Sequence, residues 1–186
     1  MGKIILASSS PRRADILKKH NYQFEIIPSP YNEDKSVTDF SYSYVEDLAF
    51  GKAESVVPLV LGDAKIIGAD TVVVLDDKIL GKPKDYQDAF LMLKSLAGRQ
   101  HKVVSAIAVI DTGTRKISIK STTSVVEFNP LTDEQIVTYL KEYQPFDKAG
   151  SYGIQEMPEG YIKCYEGSFE NIVGLCSETL SELLNA

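Results

Sequence analysis

The most constraining feature of the chain is the stretch 66–83, with the sequence IIGADTVVVLDDKILGKP. Isoleucine, valine and leucine fill this stretch on both sides of Asp70, and such residues form strands at the centre of a sheet. Asp76 and Asp77 interrupt the apolar run with residues that favour turns. The stretch therefore predicts a buried strand, a tight turn and a short returning strand that ends near Lys82.

Asp70 is the unusual member of this strand, because aspartate is normally depleted in strands. A carboxylate among apolar side chains is costly unless a cation faces it, and that cation is a metal ion, a lysine or both. The returning strand brings Lys82 toward the same region, which suggests one end of a charged site. In the alternative interpretation Asp70 only marks the solvent edge of the strand, and the sequence pattern alone does not favour either one.

A second feature with chemical meaning is a serine- and arginine-rich segment near the start of the chain. A strand is predicted over 3–7, followed by a helix over 11–20 with Ser10 as its N-cap and proline at its first position. Arg12 and Arg13 then lie in the first turn, where the helix dipole disfavours cations. Together with three neighbouring serines, this arrangement favours an anion-binding site over an ordinary capped helix with two surface arginines.

The rest of the chain alternates between strand and helix patterns, with both hairpins and crossovers. Such a mixture predicts an α/β domain around a mixed sheet. The 186 residues fit one domain or two tightly joined lobes. We predict strands over 22–27, 101–110, 115–128 and 161–165, and helices over 42–57, 85–97, 132–143 and from 167 onward.

Two further charged residues have more than one interpretation. Lys52 falls on the apolar face of the helix predicted over 42–57, so its ammonium group either extends outward to solvent or meets an anion. Extension to solvent is the commoner outcome. Glu33 lies in a polar loop over 28–41 and is either a metal ligand or an ordinary loop acid, of which the sequence favours the second.

Composition and missing motifs exclude several classes of protein. The formal net charge of −6 argues against a general nucleic-acid binder, which usually carries a basic surplus. Cys164 and Cys176 form no closely spaced pair, so zinc and redox motifs are absent. Neither histidine lies beside a serine or cysteine nucleophile, which disfavours a Ser-His-Asp hydrolase, and His101 is interpreted as a structural or edge-strand residue.

The distribution of hydrophobic residues along the chain indicates the cellular location of the protein. No apolar run approaches the ~20 residues of a membrane helix, and the segment before the first arginines is too short for a signal peptide. We therefore expect a cytoplasmic protein with no membrane partner and no nucleic-acid partner.

Six segments of the chain form one larger pattern. They are Ser8-Ser9-Ser10-Pro11-Arg12-Arg13, Tyr44-Val45 through Leu48-Ala49 to Lys52-Ala53, Gly68-Ala69-Asp70-Thr71, Gly81-Lys82-Pro83, residues 147–155 (DKAGSYGIQ), and Gly167-Ser168 with residues 171–175 (NIVGL). Taken together, these segments resemble the Maf family of nucleotide pyrophosphatases. They follow the family order over nearly the whole chain, and six together are specific where each alone is weak. Two positions depart from the family pattern, since Ser105-Ala106 stands where Thr-Gly is usual and Cys176 where Pro is usual; we expect both to change local packing only.

The resemblance implies a fold and an activity. The fold is α/β, an elongated mixed sheet with flanking helices, in one domain over residues 1–186 with two lobes around a central cleft. The activity is hydrolysis of a nucleoside triphosphate between its α and β phosphates, with Mg²⁺ or Mn²⁺ as cofactor and often in a homodimer. The sequence matches the branch that acts on dTTP and UTP. The alternatives are another nucleotide, such as 7-methyl-GTP, or a nucleotide-binding regulator of septum formation.

The resemblance also implies individual roles. Asp70 is expected to accept the proton of the attacking water and, together with Glu33, to hold the metal ion. Base specificity is expected to rest on Arg12, Thr71 and Gln155. The other expected substrate-binding residues are Ser8, Arg13, Lys52 and Lys82.

Overall fold

The computed structural model of the chain describes residues 2–34 and 36–186. Three short 3₁₀ turns, Val57–Leu59, Ala149–Ser151 and Ile154–Glu156, accompany the regular elements. In chain order these elements are β1 (Lys3–Leu6), α1 (Pro11–Lys19), β2 (Glu25–Ile26), α2 (Tyr42–Glu54), β3 (Ala64–Leu75), β4 (Lys78–Leu80), α3 (Tyr86–Leu96), β5 (Gln100–Asp111), β6 (Lys116–Phe128), α4 (Asp133–Tyr143), β7 (Ile162–Glu166), α5 (Phe169–Val173) and α6 (Ser177–Asn185).

The strands of this described part form one seven-stranded mixed sheet. Its order is β2-β1-β3-β5-β6-β7, and β4 pairs with β3 beside this path. β1 runs parallel to β2 and to β3, whereas the pairs from β3 to β7 are antiparallel. The predicted α/β class with a mixed sheet and flanking helices is confirmed.

The central hairpin also has the predicted form. β3 and β4 pair from Val73 opposite Leu80 to Leu75 opposite Lys78. The two residues between them are Asp76 and Asp77, with φ angles of 51° and 58°. A two-residue loop with both residues in the left-handed region is the turn that suits the twist of paired strands, and aspartate tolerates this conformation.

Side chains cap the starts of α3 and α4, whereas the cap predicted at Ser10 does not form. Asp85 accepts a hydrogen bond from the first turn of α3 at 2.8 Å. Thr132 and Gln135 form a capping box at the start of α4, with bonds of 3.2 and 2.8 Å. Ser10 occupies the N-cap position of α1, but its hydroxyl makes no capping bond within the described chain. The Ser10 N–H instead donates to Ser8 Oγ at 3.2 Å, because the loop curls back before the helix begins.

Three local predictions differ from the structure. The strand predicted over 22–27 is reduced to the two residues of β2. The helical segment after 167 is divided into α5 and α6 at Gly174, whose φ of 138° does not continue a helix. The edge-strand interpretation of His101 is wrong, because β5 lies between β3 and β6. The structural interpretation holds, since His101 is buried with its Nε2 2.6 Å from Tyr152 Oη.

One edge of β3 is shared by two short strands that leave a gap between them. β1 pairs with β3 up to Leu6 opposite Ile67, and β4 pairs with it only from Val73 onward. Residues 68–72 therefore have no strand neighbour on this edge among the described residues. Backbone groups in such a gap remain open to loops, helix ends or a ligand.

Helix α2 packs closely on one face of the sheet at the level of this gap. A Cβ atom added to Gly68 would lie 2.1 Å from Ala49 O and 2.6 Å from Ala53 N, so only glycine permits this approach. Around the contact, α2 and the sheet bury a continuous apolar cluster that includes Val45, Val72 and Val104. The side chain of Asp70, two residues after Gly68, is thereby directed at α2 because alternate strand residues share a face.

On the other face, the apolar core is divided into two clusters. One packs α1 and α6 against residues such as Ile67, and the other packs α3 and α4 against residues such as Val73. Between them lie Thr71 and Ser105, which are opposite each other in β3 and β5 and whose hydroxyls are 2.9 Å apart. This polar break separates two lobes. No helix in the described ranges is long and apolar enough to cross a membrane.

Candidate active site

The gap in the sheet edge presents two polar residues of β3 to opposite sides. Asp70 is buried at 8% exposure beneath α2, and Thr71 faces the polar break between the two lobes. The alternation follows from the strand geometry, which sends successive side chains to opposite faces. A carboxylate and a hydroxyl are thus held on opposite sides of an opening, by a strand that is itself buried.

Lys52, on α2, is the cation that meets Asp70. Its Nζ is hydrogen-bonded to Asp70 Oδ1 and lies 2.7 Å from Glu33 Oε1. The side chain of Lys52 is only 13% exposed, so it does not extend to solvent, and the interpretation that the sequence favoured for this residue is wrong. Glu33 is ion-paired with Lys52, and its role as a metal ligand stays a prediction. The close packing of α2 on Gly68 directs Lys52 at the strand, and the loop before α2 brings Glu33 to the same ammonium group.

Arg13 occupies the other side of the opening. Its guanidinium donates to Ser8 Oγ at 3.2 Å, to Thr71 Oγ1 at 3.3 Å and to the carbonyl of Gly174 at 3.0 Å. Burial lowers the pKa of Arg13, and the negative charge of Asp70 opposes this effect. Arg13 therefore lies within electrostatic range of Asp70, while its hydrogen bonds are all on the Thr71 side of the strand.

Two neutral residues that the sequence analysis gave no role hold this arrangement in place. Asn171 is fully buried, and its side-chain amide donates to Val103 O and to Ser124 Oγ, both at 3.0 Å. Ser105 Oγ donates to Asn171 O at 2.9 Å. These bonds fix α5 and the Gly174 carbonyl that follows it. Both positions lie in or beside segments of the family resemblance, and Ser105 retains a hydroxyl where the family usually has threonine.

Arg12 and Gln155 meet at a separate hollow of about 150 Å³. Arg12 Nη1 donates to Asp147 Oδ2 at 3.2 Å, and Asp147 also accepts from Lys148 at 2.9 Å. Gln155 is exposed, and its side chain forms no hydrogen bond within the described residues. Thr71 does not line this hollow. The lining residues are Arg12, Asp15, Ile16, Lys19, Gln155, Phe169, Glu170 and Val173.

Lys82 is exposed and makes no ion pair or hydrogen bond in the part of the chain that the structure describes. The residue before it, Gly81, accepts a backbone hydrogen bond from Gly150 at 3.0 Å. Gly150 belongs to the loop that carries Gln155, and its φ of 66° suits glycine. Lys82 therefore lies next to that loop, with its ammonium group uncommitted, while Lys52 is the cation paired with Asp70.

The charged residues of the opening suit a hydrated divalent cation. Mg²⁺ is commonly held by one or two carboxylates together with waters and substrate phosphates, rather than by a complete protein cage. Asp70 and Glu33 supply two carboxylates around a single point, the Lys52 ammonium. Among the described residues, no group of three or more His, Cys, Asp or Glu side chains could hold a metal ion.

A larger hollow, of about 290 Å³, lies around the β3–β4 turn and contacts none of the predicted site residues. Its charged groups are already engaged, since Asp76 accepts from Arg99 at 2.7 Å and Asp77 lies 3.9 Å from Lys102. This hollow therefore presents no unpaired carboxylate to a ligand.

Fold and site together define an α/β protein with a buried carboxylate and two cationic side chains, Lys52 and Arg13, around one opening, an arrangement suited to a phosphorylated ligand. The chain belongs to the family of Maf-like proteins, whose model matches residues 3–186.

Individual relatives agree with this assignment. A dTTP/UTP pyrophosphatase of Clostridium novyi (strain NT) is 47% identical over 93% of this chain and 91% of that protein. A dTTP/UTP pyrophosphatase of Clostridium botulinum (strain Eklund 17B / Type B) is 44% identical over 98% and 97%. Among solved structures, the Staphylococcus aureus Ham1 protein has a TM-score of 0.48 and 14% identity, over 68% of this chain and 71% of that one.

Proposed function

We propose that the protein hydrolyses dTTP and UTP between the α and β phosphates, releasing the nucleoside monophosphate and pyrophosphate. The observation that carries the proposal is the cluster of Asp70, Lys52 and Glu33, in which Asp70 is buried and Arg13 lies within electrostatic range of it. Relatives at 44–47% identity over nearly the full chain carry the name dTTP/UTP pyrophosphatase.

The cationic side chains account for the binding of a triphosphate to a protein with a net charge of −6. A local cluster of positive charge attracts an anion even where the total charge opposes it. Arg13 and Lys52 lie inside the opening, Arg12 at its neighbouring hollow, and Lys82 beside the glycine-containing loop. Charges placed in advance stabilise the transition state of phosphoryl transfer without reorganisation.

We propose that Asp70 and Glu33 hold a divalent cation, Mg²⁺ or Mn²⁺. Such an ion, when bound, neutralises phosphate charge and polarises a phosphoryl oxygen. The ammonium of Lys52 forms ion pairs with both carboxylates, so it holds them near each other and reduces the electrostatic repulsion between them.

Asp70 is proposed to accept the proton of the attacking water. As the water oxygen forms a bond to the α phosphorus, the proton passes to a carboxylate oxygen of Asp70 and the bond to the α–β bridging oxygen breaks. Pyrophosphate leaves with the electron pair of that bond. Arg13, held by Ser8 and the Gly174 carbonyl, keeps a fixed positive charge beside this centre.

Base recognition is proposed to involve Arg12 and Gln155, which line the same hollow. The free amide of Gln155 can both donate to and accept from the edge of a pyrimidine. Thr71 acts differently, because its hydroxyl is already engaged by Arg13, Ser105 and the Gly174 carbonyl. Its influence on specificity would pass through the position of Arg13.

A substrate panel read by pyrophosphate release tests the function. Purified protein with Mg²⁺ or Mn²⁺ is offered dTTP, UTP, dATP and 7-methyl-GTP, and we expect turnover of the first two. In Asp70→Asn, turnover should be lost while the melting temperature stays close to that of the wild type. Asp39→Asn, at an exposed position, is the control.

The panel also separates the alternatives. Turnover of 7-methyl-GTP but not of dTTP would replace the proposed substrate. Tight binding of dTTP without release of pyrophosphate would favour a regulator. If Asp70→Asn hydrolysed dTTP at the wild-type rate, Asp70 would not be the group that accepts the proton of the attacking water.

The proposal also includes the cellular location and the oligomeric state of the protein. The family resemblance supports a homodimer in the cytoplasm, where its nucleotide substrates occur. Light scattering of the purified protein measures the assembly, and a monomer at micromolar concentration would contradict it.

A further inference from the structure

The hollow beside Arg12 has an aromatic wall. Phe169 lines it together with Ile16 and Val173, and the polar residues Arg12 and Gln155 line the same hollow. Phe169 is 38% exposed, so part of this residue is accessible to a ligand. A cavity with an apolar wall and a few polar groups that fix orientation is the usual form of a small-molecule subsite.

Phe169 is held rigidly although it is partly exposed. It is the first residue of α5, and the residue before it, Ser168, caps this helix by accepting from Asn171 N at 3.2 Å. The Ser168 carbonyl accepts from Ser124 Oγ of the sheet at 3.0 Å. The Tyr165 ring lies against that of Phe169, with centroids 5.6 Å apart. A platform fixed in this way loses little side-chain freedom when a ligand binds to it.

Two acids line the hollow, and both are already paired with cations. Asp15 Oδ1 accepts from Lys18 Nζ at 3.3 Å. Burial alone would raise the pKa of Glu170, but hydrogen bonds from Lys19, Ser177 and His20 lower it to about 2. Glu170 Oε1 lies 2.7 Å from Lys19 Nζ, so the two charges largely neutralise each other. Gln155 then remains as the polar group of the hollow whose side chain forms no hydrogen bond within the described residues.

We propose that the ring of Phe169 stacks on the base of the bound pyrimidine nucleotide, while Gln155 hydrogen-bonds its edge. Every base has a flat face that can stack on an aromatic ring, and the amide supplies the directional contact. The volume of about 150 Å³ is below the ~300 Å³ at which sites for whole small molecules begin, so the hollow takes the base and leaves the phosphates outside. This inference rests on the proposed function and assigns Phe169 as a further specificity-determining residue.

The test separates binding of the base from binding of the phosphates. Phe169→Leu removes the ring but keeps an apolar side chain, and Phe169→Tyr retains the ring. Tyr86→Leu is the matched control, because Tyr86 is also the first residue of a helix and is 40% exposed. For each variant, kcat and KM are measured with dTTP and UTP, together with the inhibition constant of inorganic tripolyphosphate, which has no base.

In Phe169→Leu we expect KM for dTTP and UTP to rise about tenfold, as for the loss of one stacked base, with kcat within about twofold of the wild type. Inhibition by tripolyphosphate should not change, and Phe169→Tyr and Tyr86→Leu should behave like the wild type. A purely structural role for Phe169 would weaken tripolyphosphate binding as well. An unchanged KM in Phe169→Leu, or an equal loss for both ligands, would overturn the proposal.

Failure of the proposed function would be recognised separately. If the wild type released no pyrophosphate from any nucleotide, equilibrium binding of dTTP would be compared between wild type and Phe169→Leu. Weaker binding in the variant would still support stacking, and equal binding would refute it.

Discussion

A strong pH dependence of stability is expected from His101, the buried histidine of β5. His101 is 3% exposed, its ring packs edge-on against those of Phe128 and Tyr152, and its Nδ1 has no hydrogen-bond partner within the described residues. Burial lowers the pKa of His101 from 6.5 to about 4. The folded protein therefore keeps this imidazole neutral over a range in which the unfolded chain protonates it.

The sign and size of the effect follow from this difference in pKa. Below pH 6.5 the unfolded state binds more protons than the folded state, so stability falls as the pH is lowered and levels off below about pH 4. The complete loss is about 3 kcal/mol, since each pKa unit corresponds to about 1.4 kcal/mol. Between pH 7 and pH 5 it amounts to about 2 kcal/mol.

Urea unfolding of wild type and His101→Gln at pH 7 and pH 5 measures this contribution. The variant is less stable at pH 7, but between the two pH values it should lose about 2 kcal/mol less than the wild type. NMR titration of the two histidines gives the pKa directly, with His20→Gln to assign the signals. The same pH dependence in both proteins, or a His101 pKa near 6.5, would refute the reasoning.

The remaining predictions concern the site and the packing beneath it. Lys82→Ala should lower kcat/KM for dTTP about 100-fold, as expected for the loss of one charged donor to the phosphates. Lys84→Ala, also at an exposed position, is the control and should leave kcat/KM unchanged. A similar kcat/KM in both variants would count against a role for Lys82 in phosphate binding. Gly68→Ala should lower the free energy of unfolding by about 3 kcal/mol, because its methyl group would overlap Ala49 O. Gly81→Ala, whose added methyl group meets no atom within 4 Å, is the control in the same urea titration, and equal stability of the two would contradict the packing argument.

The sequence predicts those parts of the fold whose causes are local. The turn at Asp76 and Asp77 lies between two apolar runs, and the capping box at Thr132 is complete within four residues. The length of the strand around Glu25 depends instead on how far β1 extends beside it, which no local pattern records. The division between α5 and α6 depends on Gly174, whose position is set by bonds to distant residues.

The candidate site was only partly predictable for the same reason. Asp70 can be recognised in the sequence because a carboxylate is unfavourable among apolar residues. Arg13 can be recognised because a cation is unfavourable in the first turn of a helix. The sequence could not decide that Lys52 rather than Lys82 meets Asp70, since that depends on the close approach of α2 at Gly68. The role of Asn171 could not be predicted from the sequence, because it depends on hydrogen bonds from its side-chain amide to residues of two strands that are distant in sequence.

The hydrogen bond between Arg13 and Gly174 joins positions that are 161 residues apart. Contacts of such long range form late, because the entropy of closing the intervening loop must be overcome first. During translation, the β1–α1 segment leaves the ribosome long before the carbonyl that holds Arg13 has been made. We expect that a nascent chain cannot cleave nucleotides until the segment around Gly174 has emerged from the ribosome. We also expect that proteolytic removal of this segment from the finished protein abolishes the activity.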